Sequence, residues 1–183
     1  MSGLVLPFRD FQPRLAASAF IAQTAVVIGD VEIGEDCGIW YGCVLRGDGN
    51  VIRIGPRTNI QDGTTIHVNE EKDGGRGANG IACYIGADVS VGHMALLHAC
   101  TLEDGSFVGM KACVMDGAVV ETGGMVAAGA LVTPGKRVRK GELWAGSPAK
   151  PMRQLTAAEA EMFQWTVDHY VERARVFRSS SRP

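Results

Sequence analysis

The stretch "LEDGSFVGMKACVMDGAVVETGGMVAAGALVTPGKRVRKGELW", Leu102 to Trp144, places Leu102, Val108, Val114, Val120, Val126, Val132, Val138 and Trp144 six residues apart. A period of six fits neither the 3.6-residue turn of a helix nor the simple alternation of a strand. It fits a short strand followed by a corner. The apolar anchor points into a narrow prism, and the residue four further on (Ser106, Ala112, Ala118, Gly124, Ala130) is small enough for a crowded bend. Three such hexads close one triangular coil. Coils stack by parallel-strand hydrogen bonding roughly 4.8 Å apart, so residues eighteen apart in sequence lie above one another on the same face.

Counting outward, the same period runs from Ile21 through Val27, Ile33, Ile39 and Leu45 to Val51, restarts at Ile54 for Ile60 and Ile66, and restarts at Ile85 for Val91 and Leu97. Twenty positions are filled this way, nineteen aliphatic and one Trp, which random spacing does not produce. Glycine often follows the anchor directly (Gly34, Gly55, Gly86, Gly92, Gly109), where it would relieve backbone strain at the bend. The pattern resembles the hexapeptide repeat of left-handed parallel β-helices, and predicts an all-β prism. Near Gly146 the chain changes character. "GSPAKPMRQL" reads as a Pro-rich connector, and Thr156 followed by Glu159 has the form of a capping box that opens a helix. In that helix Met162, Phe163, Val167, Tyr170, Val171, Ala174 and Phe177 recur at threes and fours, a stripe suited to lying along the prism. The organisation expected is a β-helix domain over residues 1–150, with a lead-in over about 1–19 and an inserted loop over about 68–82. Residues 151–183 hold the connector, the C-terminal α-helix and a frayed tail from Arg178.

Composition narrows the partners. Eighteen basic against twenty acidic side chains give a net charge of −2, with no electrostatic footprint for nucleic acid or an anionic membrane. The N-terminal "MSGLVLPFRDFQP" meets Pro7, Arg9 and Asp10 before a signal-peptide core could form, and no run of eighteen apolar residues exists, so the sequence reads as cytoplasmic. Cys37, Cys43, Cys83, Cys100 and Cys113 lack CxxC spacing and read as unpaired thiols among small apolar neighbours. GxxxxGK[ST] does not occur, and the single GxGxxG string, Gly75 to Gly80, falls within a Gly-rich charged loop instead of between a strand and a helix, so neither standard nucleotide-binding signature is supported.

Three of the four histidines fall at related repeat positions. After Ile66 an anchor is due at 72 but arrives at Ile85, so thirteen residues, "VNEEKDGGRGANG", leave as a loop. If that loop returns to its own corner, Leu97 stacks on Ile66, and His67 and His98, each one past its anchor, share an outward face one strand spacing apart. His93, two past Val91, sits at a different corner and points elsewhere in a single chain. Identical prisms packed around a threefold axis would bring His93 of one chain to the pair on the next, giving three neutral imidazoles with an open fourth position, the donor set of a catalytic zinc site. The plainer alternative is three surface histidines with ordinary hydrogen bonds. His169, on the predicted helix, has only that ordinary reading.

The segment "IAQTAVVIGDVEIGEDCGIWYGCVLRGDGNVIRIGPRTNIQDGTTIHV", with the following Gly-rich loop and "YIGADVSVGHMALLHACTLEDGSFVGM", resembles the γ-class carbonic anhydrase family of trimeric left-handed β-helix proteins. The likeness covers about Phe20 to Pro148 and continues into the helix carrying "HYVERAR". It implies a homotrimer with zinc, or iron or cobalt in its place, held by His67, His93 and His98 across subunit interfaces, where metal-bound hydroxide hydrates CO₂ to bicarbonate reversibly. It further implies that Gln61 of "NIQDG" orients the hydroxide, with Asn59 and Asp62 supporting it. Arg46 and Asp48 of "LRGD" form an interfacial ion pair, Glu70 shuttles protons from the loop, and Tyr170 leans toward the metal. Gly49 departs from the family, where an aliphatic residue is common after Asp48. Two other functions share the fold: a hexapeptide acyltransferase or acyl-CoA thioesterase, which needs one catalytic His and no second stacked one coil away, and a metal-binding trimeric scaffold with little hydratase activity.

Overall fold

The computed structural model describes residues 3–70 and 80–180. Its parallel strands stack on three faces into the left-handed β-helix of about seven turns that the hexads predict. The first face carries Phe20–Ile21, Gly38–Ile39, Asn59–Ile60, Ser90–Val91, Phe107–Val108, Met125–Val126 and Glu142–Gly146. The second runs through the starts of two long strands, Val26–Ile33 and Val44–Ile54, and on through Thr65–His67, Leu96–His98, Cys113–Val114 and Leu131–Val132. The third takes the ends of those long strands, then Cys83–Ile85, Thr101–Leu102, Val119–Val120 and Arg137–Val138. Anchors fill the prism: from Val27 to Val138 each is at most 3% exposed, Val51 excepted.

Val51 is the informative exception. Val27 pairs with Leu45 and Ile33 with Ile54, with a register shift between Gly29 and Val31, so this coil spends nine residues where its neighbour spends six. The anchor is Ile54, and Val51 is half-buried on a three-residue excursion. One coil up, the same corner holds the long insertion. Leu97 pairs with Ile66, Val91 with Ile60 and Ile85 with Ile54, as the returning loop requires. Asn69 and Ile81 exchange both backbone hydrogen bonds at its base, at 2.9 and 3.1 Å. The next coil is short, with Leu97 and Leu102 five apart and Ala99 at φ 48° closing the tightened turn. Three successive coils therefore differ in length at one corner.

The glycines that follow anchors serve close approach. A Cβ on Gly109 would lie 2.4 Å from the Ala128 nitrogen, one coil away, so the backbones there touch too closely for any side chain. Turn strain is taken up elsewhere, three residues past the anchor, at positions such as Gly129 (φ 68°).

At the far end the expected connector is a strand: Ala149–Gln154 pairs antiparallel with Glu142–Gly146. An open sheet edge exposes unpaired amides and carbonyls, and the chain folds back after Gly146 (φ 99°) to cover them. At the near end Leu4–Leu6 and Arg14–Leu15 add parallel pairs below Val26–Ile33, so the lead-in supplies a fraction of a coil.

The helix spans Ala157–Ser180, past Arg178 where fraying was expected, and Arg178 donates to the Ala17 carbonyl at 3.1 Å. Its capping box forms: the Thr156 amide donates to Glu159 Oε2 at 2.8 Å, and the Glu159 amide to Thr156 Oγ1 at 3.3 Å. Phe163, Val167, Val171 and Ala174 are buried against the first face, while Met162 and Phe177 of the predicted stripe remain partly open. Phe163 stacks on Phe107 at 4.7 Å, and Trp40 meets the rings of Tyr170 and Phe177. All five cysteines are unpaired, and four are buried. Among the described residues no helix is long and apolar enough to cross a membrane.

Candidate metal centre

The irregular corner aligns four side chains, one per coil: Asp48, His67, His98 and Asp116. His67 Nε2 is 3.0 Å from Asp48 Oδ1, and His98 Nδ1 is 2.6 Å from Asp116 Oδ1. Between them His67 Nδ1 and His98 Nε2 stand 3.2 Å apart. An ionised carboxylate only accepts, so each imidazole gives its N–H to its own carboxylate. A neutral imidazole has one N–H. The nitrogens that face each other are then both lone pairs, and neither can satisfy the other.

Electrostatics keep His67 and the two carboxylates in those states. Burial depresses the His67 pKa, helped by the nearby Arg46 charge and opposed by the Asp48 hydrogen bond, so the ring stays neutral. Burial alone would raise the Asp48 and Asp116 carboxyls. Hydrogen bonds from His67 and Arg46 outweigh it at Asp48, and those from His98 and Asn69 at Asp116, so both are held below the usual carboxylate range. Arg46 pairs with Asp48 Oδ2, the Gly49 amide donates to Asp48 Oδ1 at 3.0 Å, and Asn69 Nδ2 donates to Asp116 Oδ2 at 2.7 Å. Two inward lone pairs on rings braced from behind fit a divalent cation of the zinc, iron or cobalt type, which takes neutral imidazole nitrogen.

His93 occupies the corner between the first and second faces. Asp62 Oδ2 accepts from its Nδ1 at 3.0 Å, which leaves Nε2 to accept from the Tyr170 hydroxyl at 3.4 Å. Burial and the Asp62 charge raise the Tyr170 pKa and keep that hydroxyl protonated. Among the described residues no three His, Cys, Asp or Glu side chains converge as a ligand set within the chain. Their separation follows from the two corners. Gln61 and Asn59 lie on the first-face strand leading to the His93 corner, both buried. Gln61 Nε2 donates to Asn59 Oδ1 at 3.0 Å, and Asn59 Nδ2 to Ser90 Oγ at 2.8 Å. No described residue donates to Gln61 Oε1. Glu70 is exposed and lies over Gly49, where a Cβ would come within 2.7 Å of the Glu70 Cβ. The glycine is what lets that stem approach Asp48. The neighbouring Glu71 lies outside the described residues.

The sequence residues thus fall into two clusters: Arg46, Asp48, His67, Glu70 and His98 on one corner, and Asn59, Gln61, Asp62, His93 and Tyr170 around the other. Sequence reasoning missed Asp116 and Asn69. A partial signal for Asp116 was available, since it lies eighteen residues beyond His98, one past the register position that the shortened coil pairs with it.

No family model matches the sequence. Similar proteins do. A mitochondrial protein of Arabidopsis thaliana named gamma carbonic anhydrase 2 is 46% identical over 94% of this chain and 61% of its own length. A protein of Geobacillus kaustophilus named carbonic anhydrase is 36% identical over 96% of this chain and 92% of its own. The chain belongs to the γ-class carbonic anhydrase family. It spans about three fifths of the plant member's length and nearly all of the bacterial one. A solved structure described as a hexapeptide transferase family protein from Anaplasma phagocytophilum superposes with a TM-score of 0.87 at 44% identity, covering 95% of this chain and 98% of that one. The γ-class carbonic anhydrase fold and the hexapeptide-repeat fold are one architecture, so the distinction between activities rests on the corner residues.

Proposed function

We propose that this protein catalyses the reversible hydration of carbon dioxide to bicarbonate at metal centres shared between copies of the chain in a homotrimer. The observation that carries the proposal is the His67–His98 pair, with two lone pairs 3.2 Å apart and a carboxylate behind each. His93 of a neighbouring copy supplies the third nitrogen. The outer surface of the second face supports such packing: Leu96 is 42% exposed, and Met94 and Met110 on its flanking corner are each 56% exposed, an apolar strip that a second prism would cover.

The bound metal, zinc or alternatively iron or cobalt, would supply the Lewis acidity that makes water nucleophilic near neutral pH, where bulk water has a pKa of 15.7. The chain's own residues do the rest. Asn59 fixes the Gln61 amide so that its uncommitted Oε1 can accept a hydrogen bond from the attacking water and aim that water's lone pair at the carbon. Arg46 holds Asp48, which holds His67. Asp62 holds His93, with Tyr170 above it. Glu70, exposed beside Asp48, receives the proton released by each hydration and passes it to buffer.

A second reading, acyl transfer from an acyl-CoA, draws on the transferase description of the structural relative. The two imidazoles of His67 and His98 stacked one coil apart, where acyl transfer needs a single catalytic histidine, favour hydration. The test is metal content per chain on anaerobically purified protein, with stopped-flow CO₂ hydration, for wild type and His93→Ala. About one metal per chain, lost together with hydration in the variant, supports the proposal. Metal without hydration favours the scaffold, and no metal at all favours acyl-CoA chemistry.

A further inference from the structure

We infer that Asp116 is a positioning residue that selects the tautomer and orientation of His98, and that Asn69 couples this setting to the base of the inserted loop. The inference rests on the metal-centre reading above for its consequence, while its structural content stands on the metal-free chain.

Asp116 lies in the turn after Cys113–Val114, one coil beyond His98, and its two oxygens face different partners. Oδ1 accepts from His98 Nδ1 at 2.6 Å, and Oδ2 accepts from Asn69 Nδ2 at 2.7 Å. The turn is itself tied back, since the Gly117 amide donates to the Ala99 carbonyl at 2.8 Å. The carboxylate therefore cannot rotate without losing one partner. With both kept, only the Nδ1–H form of His98 is accommodated, and its Nε2 lone pair is turned toward His67 Nδ1. An imidazole free in water favours the other tautomer slightly and turns about χ2 over a broad range, so the carboxylate selects both state and angle. Asn69 carries the setting further. Its backbone closes the loop base with Ile81, while its side chain holds the same carboxylate that holds the ligand.

The geometry is the mirror of the other end of the ladder, where Asp48 takes His67 Nε2 and is itself fixed by Arg46. There a guanidinium anchors the carboxylate, and here an amide does. The centre is thus bracketed by two carboxylates of opposite placement, and outer partners of this kind are typically worth about 10–100-fold in metal affinity.

The experiment compares wild type, Asp116→Ala and Asn69→Ala as full chains. In metal-free protein, ¹⁵N shifts of the His98 ring report the tautomer. Wild type is expected to show Nδ1 protonated and Nε2 bare, Asp116→Ala a mixture, and Asn69→Ala an intermediate state. Competitive titration with Zn²⁺ is expected to give about 10–100-fold weaker binding for Asp116→Ala and a smaller loss for Asn69→Ala. An unchanged His98 tautomer in Asp116→Ala, or unchanged Zn²⁺ affinity with wild type binding zinc, overturns the inference. A wild type that binds no zinc but shows the tautomer shift in the variant sinks the metal-centre reading and leaves the positioning role standing. Should Asp116→Ala fail to fold, Asn69→Ala carries the same two measurements, and an unshifted tautomer and affinity there overturn the coupling.

Discussion

His67 Nδ1 and His98 Nε2 face each other across 3.2 Å, and each ring gives its far nitrogen to a carboxylate, Asp48 or Asp116. The pairing exists because the nineteen-residue segment from Ile66 to Ile85 returns to its own corner, so that Leu97 stacks on Ile66 and His98 on His67. The nine-residue segment below it carries Asp48 and Gly49, over which Glu70 lies. Irregularity at one corner of a repeat is where this fold acquires chemistry.

Helix docking follows from packing more than charge. Phe163 is buried against the first face and stacked on Phe107, whereas Arg57 bridges Asp88 at 2.7 Å and Asp168 at 2.6 Å with all three side chains more than a third exposed. Phe163→Ala is expected to destabilise by about 3–5 kcal/mol, and Arg57→Ala by no more than about 1 kcal/mol. Urea melts followed by helical circular dichroism check the ranking. Equal losses would mean that the ion pairs, not the apolar stripe, hold the helix.

Two glycines separate close approach from turn conformation. Gly109→Ala forces a Cβ to within 2.4 Å of a backbone nitrogen one coil away, while Gly129→Ala meets nothing within 4 Å but keeps φ at 68°. The second substitution is expected to cost about 1–2 kcal/mol, the ordinary left-handed penalty. Gly109→Ala must push adjacent coils away from each other and is expected to cost more, with broadened resonances at Met110 and Ala128. A Gly109→Ala protein as stable as wild type would refute the close-approach role.

The six-residue period, the three stacked faces and the shared face of His67 and His98 were legible because each depends on phase alone, and phase survives in a bare sequence. Val51 was misplaced because a three-residue excursion preserves an aliphatic residue at the expected count while the true anchor, Ile54, lies three further on. The strand Ala149–Gln154 was hidden by Pro148 and Pro151: its reason for existing is the open edge it covers, a tertiary cause. Met162 and Phe177 matched the helical period but lie at the edges of the stripe, Met162 42% exposed and Phe177 37% exposed although its ring still meets Phe20, Trp40 and Tyr41. Asp116 was overlooked because a lone carboxylate in a turn looks like a solvated corner until the residue eighteen before it is seen to be a histidine.

The helix cap sets an acid limit. Hydrogen bonds from Arg153, and then from the Thr156 amide and hydroxyl, lower the Glu159 pKa from the ordinary 4.5 to about 2. A folded-state pKa below the unfolded one gives stability that is complete above pH 4.5 and disappears as pH falls through about 2. The Glu159 carboxyl carbon shift is therefore expected to titrate near pH 2 in wild type and closer to 4.5 in Arg153→Ala. Loss of the helix start should follow the same two curves, and titration near 4.5 in wild type would dissolve the cap.

If each centre draws His67 and His98 from one chain and His93 from another, two inactive variants can repair each other. His93→Ala keeps one half-site and His98→Ala keeps the other. In a cyclic trimer assembled at random from equal amounts of the two, a centre is complete only where a His93→Ala chain meets a His98→Ala neighbour in the right order, which happens at about a quarter of the interfaces. Co-refolded mixtures are accordingly expected to regain about a quarter of wild-type metal and hydration, while each variant alone shows neither. The prediction is motivated by the two separated corners, with Asp62 and Tyr170 on one and Asp48 and Asp116 on the other. A mixture that stays empty although size-exclusion shows mixed trimers would mean that the three histidines do not share a metal across the interface.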